Sequence, residues 1–367
     1  MCTEHSFPAM DRREFLRLGG AGIAGAVLLG TATASGGRVL AQARSSLAAE
    51  FESAAREYGV PKELLLAMGY VNTGWEMPPP EASAYREGDI HGRGAYGIMQ
   101  LVKNPFENSL GVAASLTGLS EEQLKNDRLA NIRGGTAVLA DIQGRDKPAD
   151  LNGWQEAMVE YGGIDLYAVE VYETLESGAS ATISTGERVE LPPQDVEVPQ
   201  TLTTQGRRAD YRRADWRPAY RGNYSNRDRG NKHIDRVILH IAQGSYSGTI
   251  SWFKNPDSNV SAHYVVGEKR RVAQCVRNED IAWHAGNWKY NRKSIGIEHS
   301  GFAGNPRAFK GKYETSARLS AYLARRYNIP VDRRHFVLHR NVPGVTKTCP
   351  GRHFDYDKYL RLVRRYK

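Results

Sequence analysis

The chain has 367 residues, of which 40% are hydrophobic and 25% charged, and its three cysteines are too few for a disulfide-rich scaffold. This length is sufficient for two domains. The net charge of +9 is unevenly spread, because residues 201–367 contain 34 basic and 13 acidic residues. Such a basic half indicates an anionic partner, nucleic acid or a bacterial cell wall, or simply a solvated basic surface.

Residues 1–43 are predicted to be an export signal. Arg12 and Arg13 precede a Gly/Ala-rich apolar stretch, and a small-residue cleavage site ends at Ala43. This order is typical of a twin-arginine signal peptide. The stretch is too rich in glycine for a convincing anchor, although an uncleaved anchor is the alternative. We therefore expect a mature protein without a stable membrane span, secreted or associated with the cell wall.

Residues 46–175 show the helical spacing of apolar residues, which predicts an all-α domain. Pro61 opens one helix, and Ser120 with Gln123 forms a capping box at the start of another. Residues 153–175 are expected to form a further helix.

Residues 176–230 are predicted to be a linker, since they are rich in Thr, Pro and charged residues and poor in aliphatic ones. The segment 211–224, with its aromatic residues, is expected to be an ordered lead-in. From residue 231 to 367, strand-like runs alternate with helix-like segments, which predicts an α/β or α+β domain with helices packed on a sheet. The predicted strands are 237–241, 260–266, 271–276, 294–298 and 336–339.

Three of these apolar runs end on reactive side chains, His240, Glu298 and His339, and the loop after the third contains Lys347 and Cys349. Ligands of open sheets bind beyond the carboxyl ends of strands, so these groups are expected to meet. Two imidazoles and a thiolate can hold a catalytic zinc ion with one position left for water. Each residue also has a structural interpretation, as a hydrogen-bonded core histidine or a buried, inert cysteine.

Residues 232–367 resemble the zinc-dependent N-acetylmuramoyl-L-alanine amidases, a superfamily that also contains peptidoglycan recognition proteins. The segments that carry the resemblance are VILH (237–240), VSAHYVV (260–266), IAWHAG (281–286), SIGIE (294–298) and TKTCPG (346–351). The resemblance implies a mixed central β-sheet flanked by helices. It also implies that His240, His339 and Cys349 bind Zn²⁺.

The same resemblance implies catalytic roles for Glu298 and Lys347. Glu298 would accept a proton from the attacking water and pass it to the leaving amine, and Lys347 would stabilise the oxyanion. A tyrosine used by some relatives is replaced here by Ala262, which leaves Glu298 as the base. A surface carboxylate and a solvated lysine are the structural alternatives.

A stretch that begins in the segment IAWHAG (281–286) and continues into the loop after it is predicted to form a wall of the substrate groove. Its aromatic rings and amides suit a glycopeptide ligand, and the predicted contact residues are Trp283, His284, Asn287 and Trp288. For His284 a structural hydrogen bond is an equally good interpretation.

Residues 46–170 resemble a divergent lysozyme-like, or lytic transglycosylase-like, domain through YGVPKELLLA (58–67), GAYGIMQL (94–101) and NIRGGTAVL (131–139). In that family a catalytic glutamate ends the helix before the Gly-rich loop, whereas this chain has Asn72. Asparagine has no proton to give to a glycosidic oxygen. The domain is therefore expected to bind glycan or act as a scaffold, and the alternative is a second active site that uses Glu76.

The sequence as a whole predicts an exported zinc-dependent peptidoglycan hydrolase that is a monomer and cleaves the amide between N-acetylmuramic acid and L-alanine. One alternative is a peptidoglycan-recognition protein on the same fold that binds without cleaving. A bifunctional amidase with muramidase or transglycosylase activity is another. A nucleic-acid-binding protein is disfavoured by the export signal.

Overall fold

The computed structural model describes residues 46–200, 209–226, 229 and 233–367. The predicted export signal lies outside these residues. Within them, no helix is both long enough and apolar enough to span a bilayer.

The N-terminal half is helical, as predicted. Its elements are α1 (Leu47–Tyr58), α2 (Lys62–Thr73), β1 (Ala95–Tyr96), β2 (Leu101–Val102), α3 (Ser109–Thr117), α4 (Glu121–Asn126), α5 (Arg128–Gln143), α6 (Gln155–Gly162) and α7 (Asp165–Ser177). The capping box of Ser120 and Gln123 begins α4, as the sequence indicates. The predicted helix 153–175 is divided in two, because Gly163 adopts a left-handed conformation (φ 70°) and ends α6.

A β-hairpin follows α7, where the sequence predicts a linker. Its strands are β3 (Ala179–Thr182) and β4 (Arg188–Leu191). Val189 and Leu191 alternate with exposed residues and are buried in the helical core beside Trp154. The linker prediction is therefore wrong for residues 179–191, since two apolar side chains on one strand face are enough to attach the hairpin to the helices.

The C-terminal half contains a sheet with helices packed against it, as predicted. Its elements are β5 (Asp215–Trp216), β6 (Tyr224–Ser225), β7 (Arg236–Leu239), α8 (Tyr246–Lys254), β8 (Tyr264–Val266), β9 (Val272–Gln274), β10 (Ile281–Ala282), α9 (Trp288–Asn291), β11 (Ser294–His299), α10 (Tyr313–Arg326), β12 (Phe336–Leu338) and α11 (Tyr356–Tyr366). The six-stranded sheet has the order β12-β7-β11-β8-β9-β5 and is mixed, since β8 and β9 are antiparallel. All five predicted strands are present.

The register of three parallel strands brings the predicted site residues to one edge of the sheet. Leu239 of β7 pairs with Ile297 of β11 and with Leu338 of β12. The next residue on each strand is therefore His240, Glu298 or His339. Because parallel strands end at the same edge, these three side chains share one end of the sheet.

The two halves share an apolar contact. Ile90, Ile164 and Leu166 of the helical half belong to the same buried cluster as Trp252 and Phe253 of α8. Burial of this cluster joins the halves, and it places the loop that contains Ile90 at the end of the sheet where the site residues lie.

Polar contacts reinforce the junction. Arg271 Nη1 lies 3.1 Å from the buried carboxylate of Glu170 on α7, whose other oxygen accepts a hydrogen bond from the Ser247 amide at 3.1 Å. Lys269 donates to the carbonyl of Glu173 at 3.0 Å. Of these groups Glu170 is buried, and its partners in the C-terminal half satisfy both oxygens of its carboxylate.

Candidate metal centre and active site

Four buried side chains converge at the end of the sheet. The ligand atoms of His91, His240, His339 and Cys349 all lie within 4.8 Å of one another. His240, His339 and Cys349 are predicted for this position, and the structure brings all three together. It also adds His91 from the helical half, which the sequence analysis missed.

Backbone contacts hold the loop of Cys349 against the strand ends. Cys349 Sγ accepts a hydrogen bond from the Ile241 amide at 3.1 Å. The Cys349 carbonyl accepts one from the Arg340 amide at 2.9 Å, immediately after His339. The loop is therefore tied to both histidine-bearing strands, and the thiol is only 3% exposed.

The donor set fits a metal ion. His240 Nδ1 and both ring nitrogens of His339 are buried and make no hydrogen bond of ordinary geometry among the described residues, although the Ala285 backbone lies near the His339 ring. Buried polar atoms without partners are uncommon in folded proteins, and a cation would satisfy them. Imidazole nitrogens and a thiolate are the ligands that zinc prefers.

Both imidazoles are in the protonation state that a metal ligand needs. Burial lowers the pKa of His240 well below its ordinary value, an effect to which the neighbouring His339 adds. Burial, together with the positive charge of His91, lowers the pKa of His339 to about 3. A neutral imidazole offers a lone pair to a cation, so neither ring has to lose a proton near neutral pH.

His284 supports His240 from behind. Its Nδ1 lies 3.1 Å from His240 Nε2, and its Nε2 lies 3.2 Å from Ser294 Oγ. Gly296 makes room for this ring, because a Cβ there would lie 2.5 Å from the His284 ring. This contact leaves Nδ1 of His240 for a metal and orients its ring, as partners of metal-binding histidines commonly do. The prediction that His284 lines the groove is wrong, since the side chain is only 1% exposed.

The other three predicted groove residues lie on the surface loop around α9. Trp283 Nε1 donates to Ser225 Oγ at 3.1 Å, and Asn287 caps α9 and donates to the Pro343 carbonyl at 2.9 Å. Trp288 is 48% exposed and presents its ring to solvent. Their substrate contacts stay a prediction.

Glu298 lies beside the candidate metal centre and is fully buried. Its Oε1 is 3.7 Å from His240 Nδ1 and 3.4 Å from His91 Nε2. Burial raises the pKa of Glu298 above its ordinary value, while His91 opposes the rise. A carboxylate whose pKa is raised toward neutrality suits proton transfer better than an ordinary surface glutamate.

Lys347 does not point freely into the site. Its ammonium group is paired with the carboxylate of Asp89, which belongs to the helical half. The pKa of Asp89 is lowered, because the hydrogen bond from Lys347 and the charge of His91 outweigh the opposing effect of burial. The positive charge predicted to stabilise an oxyanion is thus already neutralised in this structure.

A cavity of about 540 Å³ opens beside the centre, between the two halves. Residues from both halves line it, among them Met77, Asp89, His91, Phe302, Lys347 and Cys349. A cavity of this volume is typical of small-ligand sites. Trp283, Asn287 and Trp288 are not among its lining residues.

The predicted catalytic position of the helical half has no carboxylate. Asn72 is buried near the end of α2 and faces a small cavity of about 40 Å³ that Ser245 and Gly248 of the other half also line. Glu76 lies elsewhere, where it accepts hydrogen bonds from the Ser184 amide and hydroxyl and pairs with Arg307 at 3.5 Å. Glu76 thus links the helices to the hairpin and to the C-terminal half.

His263 occupies a separate buried network. Its Nδ1 accepts a hydrogen bond from the Gly296 amide at 3.0 Å, and its Nε2 lies 3.2 Å from the Asp280 carbonyl. These partners suit the neutral ring with its proton on Nε2. Burial, and secondarily the charge of Arg229, lowers the pKa of His263 well below its ordinary value.

This network predicts acid sensitivity. Below about pH 6.5, His263 is protonated in the unfolded chain but stays neutral in the folded chain. The free energy of unfolding therefore decreases by up to about 1.4 kcal/mol for each unit by which the pH falls. In His263→Asn we expect the free energy of unfolding to depend less steeply on pH, because about one proton fewer is taken up on unfolding. Urea unfolding with chelator present, between about pH 5 and pH 7, measures it. His353→Asn, outside this network, is the control, and an unchanged slope in His263→Asn would contradict the prediction.

Comparison with known proteins identifies the family. Residues 230–352 match the family model Amidase_2, described as N-acetylmuramoyl-L-alanine amidase. The chain is 38% identical over 173 residues to N-acetylmuramoyl-L-alanine amidase A of Achromobacter lyticus, across 42% of this chain and 95% of the relative. The chain belongs to the N-acetylmuramoyl-L-alanine amidase family. The predicted family and amidase function are thereby confirmed.

More distant amidases match the same half. The 1,6-anhydro-N-acetylmuramyl-L-alanine amidase AmpD of Haemophilus influenzae is 34% identical over 113 residues, across 29% of this chain and 59% of the relative. A crystal structure of a selenomethionine AmpD derivative is 26% identical, covers 41% of this chain and 94% of its own, and has a TM-score of 0.32.

The matched range separates two groups of site residues. Those inside residues 230–352 are His240, Glu298, His339, Lys347 and Cys349. Asp89 and His91 lie outside it, in the helical half. The amidase half therefore contains every residue that the sequence analysis assigned to the metal and the reaction, and the helical half adds two more.

Proposed function

We propose that this amidase uses zinc, held by His240, His339 and Cys349, to hydrolyse the amide between N-acetylmuramic acid and L-alanine in peptidoglycan. The buried convergence of these three side chains beside Glu298 is the observation that carries the proposal. When bound, zinc supplies a Lewis acid that activates water and polarises the amide carbonyl.

Glu298 is the general base and acid of the proposed reaction. Its carboxylate accepts a proton from the attacking water as the water oxygen bonds to the carbonyl carbon. The same carboxyl then gives that proton to the L-alanine nitrogen as the C–N bond breaks. Its burial keeps bulk water from competing for the proton, and its raised pKa makes the carboxylate a better acceptor of the proton from water.

Lys347 is proposed to stabilise the oxyanion that develops on the carbonyl oxygen. An ammonium group aimed at a developing negative charge is effective in this role, once its pairing with Asp89 is released. Lys347 lines the 540 Å³ cavity with Cys349, which favours this cavity as the binding site of the muramyl peptide. Trp283 and Trp288 are proposed as a second, outer contact surface.

The helical half is proposed to be a lysozyme-like domain without glycosidase activity, which binds glycan or positions the amidase. The absence of a carboxylate at Asn72 and the contacts of Glu76 with Ser184 and Arg307 support this role. Analysis of glycan ends after peptidoglycan digestion tests it. New reducing or anhydro-muramyl ends that disappear in Glu76→Gln would show a second active site instead.

Export through a twin-arginine signal in residues 1–43 is proposed from the sequence alone, and it would bring the enzyme to its substrate. The basic charge of residues 201–367 favours contact with an anionic wall. A monomer is proposed as the working form.

Digestion of purified sacculi by the protein without residues 1–43 tests the proposed function. We expect new L-alanine amino termini to appear with zinc and to fall to background with chelator. Restoration by added zinc is the control. Binding to sacculi without release of amino termini, in the wild-type chain and in all variants described below, would favour a recognition protein.

A further inference from the structure

We propose that His91 is a fourth metal ligand, supplied by the helical half, and that the loop carrying it closes the active site in the resting protein. This inference rests on the proposed zinc site and extends it to residues 86–92, which lie outside the amidase match. We call this segment the closing loop.

His91 has the position of a ligand. Its Nε2 lies 3.8 Å from Cys349 Sγ and 3.4 Å from Glu298 Oε1, and its ring centre is 5.7 Å from that of His339. The side chain is 6% exposed. Among the described residues, the group with mutually close ligand atoms thus holds three imidazoles and one thiol.

The closing loop is a tight and well-braced turn. The Gly92 amide donates to the Asp89 carbonyl at 2.9 Å, and the His91 amide donates to Asp89 Oδ1 at 3.0 Å. Gly92 is required by space, since a Cβ there would lie 2.7–2.8 Å from the backbone of Arg86. Ile90, between the two functional residues, is buried in the cluster that joins the halves.

A second contact of the same loop acts on the proposed catalytic lysine. Asp89 pairs with Lys347, so one turn presents an imidazole to the metal centre and a carboxylate to the ammonium group. Asp89 and His91 are only two residues apart in sequence. Together they contact Lys347 and the metal centre, both of which the reaction needs to be free.

Closure follows from the number of ligands. A catalytic zinc ion keeps one position open for water, whereas four protein ligands characterise structural sites. Burial acts to lower the pKa of His91, but Cys349 and Glu298 raise it to about 10, so His91 releases a proton when it takes that position. His91 and Cys349 line the large cavity, while His240, Glu298 and His339 are not among its lining residues. Turnover therefore requires the closing loop to withdraw, and binding of the sacculus to the adjoining cavity is the event that would displace it.

The test compares zinc-loaded wild type, His91→Ala and Asp89→Asn, each without residues 1–43, by zinc-edge X-ray absorption. We expect three histidines and one sulfur around zinc in the wild type, and two histidines, one sulfur and one oxygen in His91→Ala. Asp89→Asn should show a mixture of the two. His353→Ala, which removes a histidine outside the cluster, is the control and should match the wild type.

Hydrolysis of a soluble muramyl peptide is the second readout. If about a tenth of the wild-type molecules are open, His91→Ala should be about tenfold faster, with a smaller gain in Asp89→Asn. Two histidines around zinc in the wild type would overturn the proposal, and so would a loss of turnover in His91→Ala with zinc bound. A wild type that binds no zinc would instead refute the proposed function itself.

Discussion

Glu298→Gln should lose hydrolysis while keeping its metal. The amide side chain has nearly the same shape as the carboxylate, but it cannot accept the proton of the attacking water. General acid–base groups contribute about 10²–10⁴-fold to enzymatic rates, so we expect turnover to fall by at least about that range. Glu298 is not one of the proposed metal ligands, and zinc content measured by elemental analysis should stay near one ion per chain.

Glu50→Gln is the matched control for this experiment. Glu50 is also a buried glutamate, but it pairs with Arg128 at 2.6 Å in the helical half. Its replacement should lower the thermal stability without lowering the rate per folded molecule. Turnover in Glu298→Gln close to the wild-type value would remove Glu298 from the reaction. Loss of zinc from that variant would show that the carboxylate holds the metal.

Much of the catalytic half could be predicted, because local sequence and sheet geometry agree there. Each apolar run is too short for a helix and ends on a polar residue, which marks both a buried strand and its carboxyl end. Parallel pairing then aligns Leu239 with Ile297 and Leu338, so His240, Glu298 and His339 must meet. The strand ends follow from the chain pattern alone, whereas the order and register of the three strands come from the structure.

Contacts between distant segments could not be predicted in the same way. His91 precedes His240 by 149 positions and lies in a Gly-rich turn that has no periodic pattern. Its place at the metal centre depends on how the halves dock through Ile90 and α8, which hydrophobic spacing does not encode. The hairpin of β3 and β4 was missed for a related reason. Few large apolar side chains mark its buried face, namely Ile183, Val189 and Leu191, within a stretch dominated by polar residues.

His284 illustrates a different difficulty. The sequence places it next to Trp283 in a loop, where an outward and an inward orientation are equally compatible with the pattern. The inward orientation is possible because Gly296, on strand β11, has no side chain and leaves space for the His284 ring. Orientation thus depended on a glycine 12 positions away, and not on the residues that flank His284.

Cys349→Ala should nearly abolish metal binding. Loss of a partner that only orients a metal ligand weakens affinity by about 10–100-fold, and removal of the ligand itself should exceed that range. The thiolate also supplies the negative charge among the proposed ligands, so its loss leaves neutral imidazoles facing a divalent cation. Competition titration with a zinc chelator of known affinity measures the change.

Cys275→Ala is the matched control, since Cys275 is the other buried free cysteine of the described residues. Burial raises the pKa of Cys275 to about 12, which keeps it a thiol in an apolar cluster, and among the described residues it belongs to no group of close metal-binding side chains. Its replacement should leave zinc affinity unchanged.

Thermal unfolding also distinguishes Cys275→Ala from Cys349→Ala. Free zinc at 1,000 times the dissociation constant stabilises a folded protein by about 4 kcal/mol, a gain that Cys275→Ala should keep and Cys349→Ala should lose. Equal stabilisation of both variants by zinc would place the metal away from Cys349.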